Sequence, residues 1–415
     1  MSVSQIPLIT RALARNRVIS SLLLLQVLVA TAVVTNLAFL LSERLATLTY
    51  DTGLQEDGLG VIETEFLGAA ARNSSAATRA DVEVLRQLPG VKGVLAAESL
   101  PLSQRNWTAG FTNRPIVGND IAGIVEAEPT VYSVSAPAVA LLGLRLTAGR
   151  DLSPSAFVPM GAAEEYSGLY RAGEAVISEA LAQRLFPEGR AVGKAIYADA
   201  RHPLQVVGVV QALSRPVLRT DGDNDMSLIL PLVPDGTRVM YALRGDDDRI
   251  DGIVSAAERA LTAREQDRMI PRSTTFGRLR ADYFRHDQTM AVMFFCAGLA
   301  LLVVTATGVY GLASFWVRRR HRQIGIRRAL GARRIDIVSY FLLENLILTV
   351  AGSVIGSVLA VGLNLAIARY YEVARIEPVY LVVGAIAVLL VGQIAVLIPA
   401  RRASRDLPVA ILRSS

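Results

Sequence analysis

Four long apolar runs constrain what this chain can fold into more than any other feature. They lie at residues 18–41, 290–317, 337–368 and 379–397. Crossing a hydrocarbon core takes about 20 mostly apolar residues in a helix, and each run is close to that or longer. Gln26, Asn36 and a few hydroxyls interrupt the first run, the second carries no charge, and the third holds one carboxylate, Glu344. A long polar stretch separates the first run from the second. The pattern predicts one membrane helix, a large water-exposed domain, then three membrane helices close together. Composition agrees: 52% hydrophobic and 19% charged residues is a modest departure from the roughly 45–50% and 25% of soluble proteins.

The arginines predict the orientation. Arg11, Arg15 and Arg17 precede the first run. Arg318, Arg319, Arg320, Arg322, Arg327, Arg328, Arg333 and Arg334 lie between the second and third, and Arg401, Arg402, Arg405 and Arg413 follow the fourth. Two acids, Asp336 and Asp406, share these segments. Such an excess marks the cytoplasmic side, and an even number of spans puts both termini there. Residues 43–286 carry 26 Lys and Arg against 31 Asp and Glu and are expected outside the cytoplasm. The expected organisation is a cytoplasmic tail at 1–17, spans at 18–42, 287–317, 337–369 and 379–398, and an external domain at 43–286. A cytoplasmic loop at 318–336, a short external loop at 370–378 and a cytoplasmic tail at 399–415 complete it. The first run exceeds the 7–15 apolar residues of a signal peptide and no A-x-A site follows, so it reads as an uncleaved anchor.

The external domain reads as mixed α and β. Residues 59–66 alternate apolar and polar, 78–88 place Val82, Leu85 and Leu88 on one helical face, and 91–97 read as a second strand. A similar unit recurs with a strand at 238–243, a helix at 248–261 carrying Ile250, Ile253, Val254 and Leu261, and a strand beginning at 273–276. Two β-α-β units therefore flank a middle insert. Within it, Gly143 and Gly149 read as turn residues, Ser178 as a helix N-cap, and 202–211 as a buried strand.

Catalytic chemistry finds little support. One cysteine, Cys296, excludes an intrachain disulfide or a Cys-rich metal site. The three histidines, at 202, 286 and 321, are too scattered to suggest a metal centre, and no nucleophile aligns with His202. GRAVGK at 189–194 lacks the glycine spacing of a phosphate loop, and Ala195 stands where its hydroxyl would be. Asp246, Asp247 and Asp248 read as a helix-start signal. No catalytic residue, metal ligand or cofactor site is nominated.

The most specific stretch is RRRHRQIGIRRALGARRIDIVSYFLLE at 318–344. Arginines alternate there with Ile324, Ile326, Ala329 and Leu330, while Gly331 stands where a helix C′ residue belongs. On residues alone, a topology anchor and a docking element for a cytoplasmic partner are equal readings. The segment IGIRRALGA at 324–332 resembles the signature loop of the MacB/FtsX-like permeases of ABC transporters. PARRASRDLPVAILR at 399–413 is similar to that family's C-terminal segment. LLGLRLTAGRDLS at 141–153, AVISEALAQRLFPEGRAVGKAI at 175–196 and LQVVGVV at 204–210 resemble the MacB-type periplasmic core domain.

The resemblance implies a four-helix, one-plus-three membrane protein of the bacterial inner membrane. Its large α+β periplasmic domain would have Porter-like β-α-β units and a Sabre-like insert. It implies that Gln323, Ile324, Gly325, Ile326, Arg327, Arg328, Ala329, Leu330 and Gly331 dock a cytoplasmic ABC ATPase subunit that holds the ATP and Mg. It implies a second permease, as a homo- or heterodimer, an adaptor and an outer-membrane channel in MacB-like members, and export or extraction by transmitted motion, with no nucleic acid involved. FtsX-like signalling to cell-wall enzymes and Lol-like lipoprotein release are the alternatives. The first usually has a far smaller external domain, and the second matches the core motifs less well. Two departures stand out. Gln323 replaces a frequent Glu, and Arg333 replaces a Ser or Thr that would cap the next helix.

Inside the membrane, Gly352, Gly356 and Ala360 recur every fourth residue, which permits close helix approach, either within a subunit or in a dimer. Glu344 is expected to pair with a loop arginine, the alternative being proton coupling. Tyr310 and Trp316 suit the membrane interface.

Overall fold

In the computed structural model every apolar run winds into a helix that outlasts it. The structure describes residues 17–116, 123–161, 167–219, 222–265, 267–369 and 375–405, without the side chains of Arg322, Arg327, Arg328, Ala329, Ile367, Ala368 and Arg405. The chain divides into two units. One joins the residues up to Thr49 to those from His286 onward, and the other is Tyr50–Arg285. The first helix, α1 (Arg17–Leu48), belongs to the former. The helix continues past residue 42, the end of the expected span, to Leu48.

The external unit opens with β1 (Leu59–Phe66), α2 (Ser74–Arg86) and β2 (Gly93–Ala97). An insert follows, made of β3 (Phe111–Thr112), β4 (Glu126–Ala127), β5 (Thr130–Ser133), β6 (Leu146–Gly149), β7 (Val158–Pro159) and β8 (Glu174–Ser178). It continues through α3 (Glu179–Leu185), β9 (Ala195–Tyr197), β10 (Pro203–Val210), β11 (Ser227–Leu230) and β12 (Leu232–Val233). The chain then returns as β13 (Arg238–Arg244), α4 (Ile250–Arg264) and β14 (Arg268–Thr275).

The two β-α-β units interleave into one antiparallel sheet, ordered β14-β1-β13-β2. This is a split β-α-β arrangement in which units far apart in sequence share every central pairing. Leu85 of α2 and Ala257 and Leu261 of α4 pack with Ile62, Phe66, Val94, Val239, Tyr241 and Leu243 to form its core. Helix and strand approach closely at Gly60, where an added Cβ would stand 2.5 Å from a Val254 methyl. β14 starts five residues before the expected strand. Its RMIPRSTT sequence contains Pro271, which an edge strand tolerates because one side of its backbone needs no partner.

A buried charge ties the halves together. Asp81 on α2 is fully enclosed and bonds both oxygens to Arg268 of β14 at 2.9 Å. Its Oδ2 also accepts from the Tyr241 hydroxyl at 2.7 Å. Burial and the neighbouring carboxylate push the Tyr241 hydroxyl well above its usual pKa.

The insert forms its own sheet, ordered β4-β3-β9-β10-β8-β11-β5. β9 pairs with the first half of β10 and β6 with the second, both antiparallel, while β8 runs parallel to β10. Ser178 caps α3 by accepting from the Leu181 amide at 3.3 Å. Gly149 (φ +79°) turns β6 so closely onto β10 that a Cβ would meet the Val207 carbonyl at 2.1 Å.

The other unit completes with α5 (Arg285–Arg319), α6 (His321–Ala329), α7 (Arg334–Ala368) and α8 (Pro378–Arg405). Together with α1, the helices α5, α7 and α8 are long and apolar enough to cross a membrane. The 35 residues of α5 extend about 52 Å at 1.5 Å per residue, well beyond a hydrocarbon core of about 30 Å. α7 packs against α1 and α8, and α8 also packs against α1.

Candidate docking site and membrane core

α5 gives way to α6 at Arg320, whose amide donates to the carbonyls of Trp316 (3.1 Å) and Val317 (3.2 Å). One turn on, the Ile324 amide donates to the Arg320 carbonyl at 3.0 Å. The segment expected at 318–336 as a loop is therefore largely helical. Ile324 is buried in an apolar cluster with Val309, Ala313, Val317, Ile337, Phe341, Ala395 and Ala400, and α6 packs against α8. Gly325 is buried as well, while Gln323 is exposed. Apolar side chains nearby stand exposed: Ile326 of α6 is 47% exposed, Leu330 in the turn after it 83%, and Ile335 in the first turn of α7 71%. The side chains of Arg327, Arg328 and Ala329, the tails at 1–16 and 406–415, and residues 370–374 lie outside the described residues.

Gly331 takes φ +98°, the left-handed turn that ends the α6 segment. α7 then begins at Arg334, leaving Arg333 as its cap. Arg333 has no oxygen to offer the first-turn amides. Asp336 supplies the reciprocal half of a capping box by accepting from the Arg333 amide at 2.9 Å.

Glu344 is 1% exposed and faces Arg320, whose Nη1 lies 3.1 and 3.0 Å from its two carboxylate oxygens. The guanidinium also stands 5.1 Å above the Trp316 ring. Trp316 is 5% exposed and packs with Leu23, Val27, Leu348 and Val388. The tryptophan forms one wall of the ion-pair pocket. A neighbouring polar cluster joins Asn345 to Gln393, whose amide, suitably oriented, also donates to the Leu342 carbonyl at 3.2 Å.

The small residues of α7 lie against α1. A Cβ at Gly352 would meet Val27 at 2.8 Å, and one at Gly356 would meet the Leu28 carbonyl at 2.5 Å and Thr31 at 2.9 Å. Thr31 and Ser353 share a hydrogen bond of 3.2 Å between them. Ala360 is fully buried. On another side of α1, the Gln26 amide donates to the Thr305 carbonyl of α5 at 3.1 Å, in the space left by Gly308. In the sequence Gln26 was visible only as an interruption of an apolar run.

No group of three or more His, Cys, Asp or Glu close enough to hold a metal occurs among the described residues. His202 pairs with Asp199 (2.8 Å) and lies against Tyr170. The 189–194 turn leads into β9, whereas a phosphate loop leads into a helix. Its Lys194 sits over the Phe186 ring.

Residues 19–269 match the family model described as the MacB-like periplasmic core domain, and residues 295–408 match the FtsX-like permease C-terminal domain. The chain belongs to the MacB/FtsX-like permeases. Over 254 residues it is 32% identical to the pyoverdine export ATP-binding/permease protein PvdT of Pseudomonas syringae pv. syringae (strain B728a), covering 58% of this chain and 37% of that protein. It is 24% identical over 358 residues to the macrolide export ATP-binding/permease protein MacB of Campylobacter jejuni subsp. jejuni serotype O:23/36 (strain 81-176), covering 80% and 49%. The chain spans 37% to 39% of the length of these pyoverdine-export relatives. The periplasmic region of MacB from Actinobacillus actinomycetemcomitans aligns with 57% of this chain and 97% of its own length, at 14% identity and a TM-score of 0.33. Membership makes this a permease of the ABC-transporter class, with candidate membrane spans and a periplasmic domain.

Proposed function

We propose that the chain is the permease of a MacB-like ABC exporter, and that α6 is the element on which a cytoplasmic ABC ATPase docks. The observation carrying this reading is the two-sidedness of α6 and the turn after it. Ile324 anchors the segment in the bundle, while Ile326, Leu330 and Ile335 stand exposed among arginines. A segment that only marked topology would need its charges and no exposed apolar side chains. Ile324 ties α6 to an apolar cluster that also holds residues of α5, α7 and α8, through which a push on α6 can pass. The ATPase holds the ATP and Mg, and motion passes through the helices to the periplasmic domain.

The same reading places both termini in the cytoplasm and residues 50–285 in the periplasm. A second permease completes the transporter, and an adaptor with an outer-membrane channel carries cargo onward. Export is favoured over FtsX-like signalling because the external unit is large, and the names of the relatives describe export. The test is reconstitution with the ATPase that co-purifies. Arg327→Glu with Arg328→Glu, or Leu330→Asp alone, should abolish coupled ATP hydrolysis. Unchanged hydrolysis in both variants would overturn the docking assignment.

A further inference from the structure

The external unit contains a cleft of about 690 Å³ beside β7 and the start of β13. Its walls come from the start of α2, the loop after β2, the loop after β7 and the connection between β12 and β13. The volume falls within the range of small-molecule sites. Arg72, Arg105, Arg171 and Arg238 all line it. Arg238 pairs with Glu65 at 3.0 Å. Among the described residues, Arg72, Arg105 and Arg171 have no carboxylate within salt-bridge distance. Among the described residues, Arg171 bonds the Pro159 carbonyl (3.4 Å) and the Ser167 hydroxyl (3.3 Å).

Three further observations separate this cleft from an ordinary basic surface. First, Nη1 of Arg105 is buried with no hydrogen-bond partner among the described residues, as is Oε2 of Glu98 in the same cleft, and a native structure rarely leaves charged groups in that state. Second, the loop that carries Arg105 is strained. Leu102 and Gln104 both take positive φ, 63° and 64°, a region that non-glycine residues seldom enter and that clusters at ligand sites. Leu102 is 1% exposed, and the Gln104 amide is held by the Pro216 carbonyl at 3.3 Å. Packing therefore imposes the strain and aims the arginine. Third, Asp235 braces the floor. Its carboxylate accepts from the Gly161 amide at 2.8 Å and its backbone carbonyl accepts from the Ser74 hydroxyl. The cleft is pre-formed, with Met160 and Pro234 as apolar wall.

We infer that this cleft binds a small anionic molecule, through carboxylate or phosphate groups held by Arg72, Arg105 and Arg171 and an apolar portion laid against Met160. Guanidinium forks match both oxyanions, and such charge-assisted bonds are the strong ones. Glu98, which shares the cleft, fits this environment. Burial raises its pKa and Arg105 opposes the rise, which places the Arg105 charge beside it. The inference stands apart from the export reading, because it concerns binding and not the fate of what is bound.

Isothermal titration of the purified full chain in detergent, with citrate in one series and pyrophosphate in another, tests it. Saturable one-site binding is expected for at least one probe, and the tighter probe assigns carboxylate or phosphate. Arg105→Gln and the exposed Arg72→Gln should each weaken binding about tenfold or more, the loss of one charge-assisted contact. Arg184→Gln, in the separate 370 Å³ cleft beside Glu126 and Arg219, should leave it unchanged. An unaltered melting temperature for Arg72→Gln separates lost binding from lost folding. Absence of saturable binding with both probes overturns the assignment, as does binding that survives both substitutions.

Discussion

Removing the Glu344 carboxylate is a direct test of what holds the bundle at its arginine-rich end. Arg320 and Glu344 have side chains 13% and 1% exposed, with one guanidinium nitrogen 3.1 and 3.0 Å from the two oxygens. An exposed pair would contribute about 0–1 kcal/mol. Breaking a buried pair strands the remaining charge away from water and costs roughly 3–5 kcal/mol. Arg320 is not fully enclosed and its long stem can lean toward water, so Glu344→Ala should lose about 3 kcal/mol, near the lower end. Replacing both residues, Arg320→Met with Glu344→Leu, removes both charges and keeps most of the volume. Apolar replacement of a buried pair is often neutral or better, so the double variant should recover most of the loss. The remaining deficit reflects the lost contact between Arg320 and the Trp316 ring, about 0.5–2 kcal/mol. Reversible unfolding in mixed detergent micelles measures each variant. A loss below about 1 kcal/mol for Glu344→Ala, or a double variant no more stable than the single, would refute the argument.

The remaining predictions concern packing, capping and pH. Gly356→Val should disrupt the bundle, because a Cβ there meets the Leu28 backbone at 2.5 Å, whereas Gly362→Ala, with nothing within 4 Å, should be tolerated; thermal unfolding of the two should differ clearly. Arg333→Ser should complete the capping box begun by Asp336 and stabilise the start of α7 by about 0.5–2 kcal/mol, read as slower amide exchange in its first turn. Glu174 is held at a pKa of about 2 by Arg150 and the Ser153 amide and hydroxyl, below its ordinary 4.5. Its folded pKa is depressed, so the stability it contributes is present above pH 4.5 and lost as pH falls toward 2. Glu174→Gln should flatten that part of the external unit's stability profile, and an unchanged slope would count against the assignment.

Local pattern carried a good deal of the fold. Alternation at 59–66 marks β1 because successive side chains face opposite sides of a pleated strand. The 3.6-residue spacing of Ile250, Ile253, Val254 and Leu261 marks α4, and these residues are buried along one face. Ser178 was legible because a hydroxyl before an apolar helical run has few other uses. Periodicity placed Val82 and Leu85 on the inner face of α2 but gave no hint of Asp81. A carboxylate on that face reads as a misfit until Arg268 and Tyr241 arrive from remote strands. Trp316 is similar: its place near a helix end says nothing of the Arg320 guanidinium and the Val27 side chain that pack around it.

The sequence by itself determined that four helices can span a membrane, that a large α+β unit separates the first from the rest, and that arginines concentrate before the first run, between the second and third, and after the fourth. These follow from the solubility of side chains in hydrocarbon and water, a property each residue carries alone. Only the tertiary structure decided that two β-α-β units separated by the insert share one sheet. It alone decided that Gly352 and Gly356 face α1, that Arg320 pairs with Glu344, and that Arg72, Arg105 and Arg171 line a single cleft. Each of these is a choice of partner over a long sequence separation. Such a choice depends on register, shape and enclosure by the rest of the chain, and it leaves no local trace in the pattern of residues.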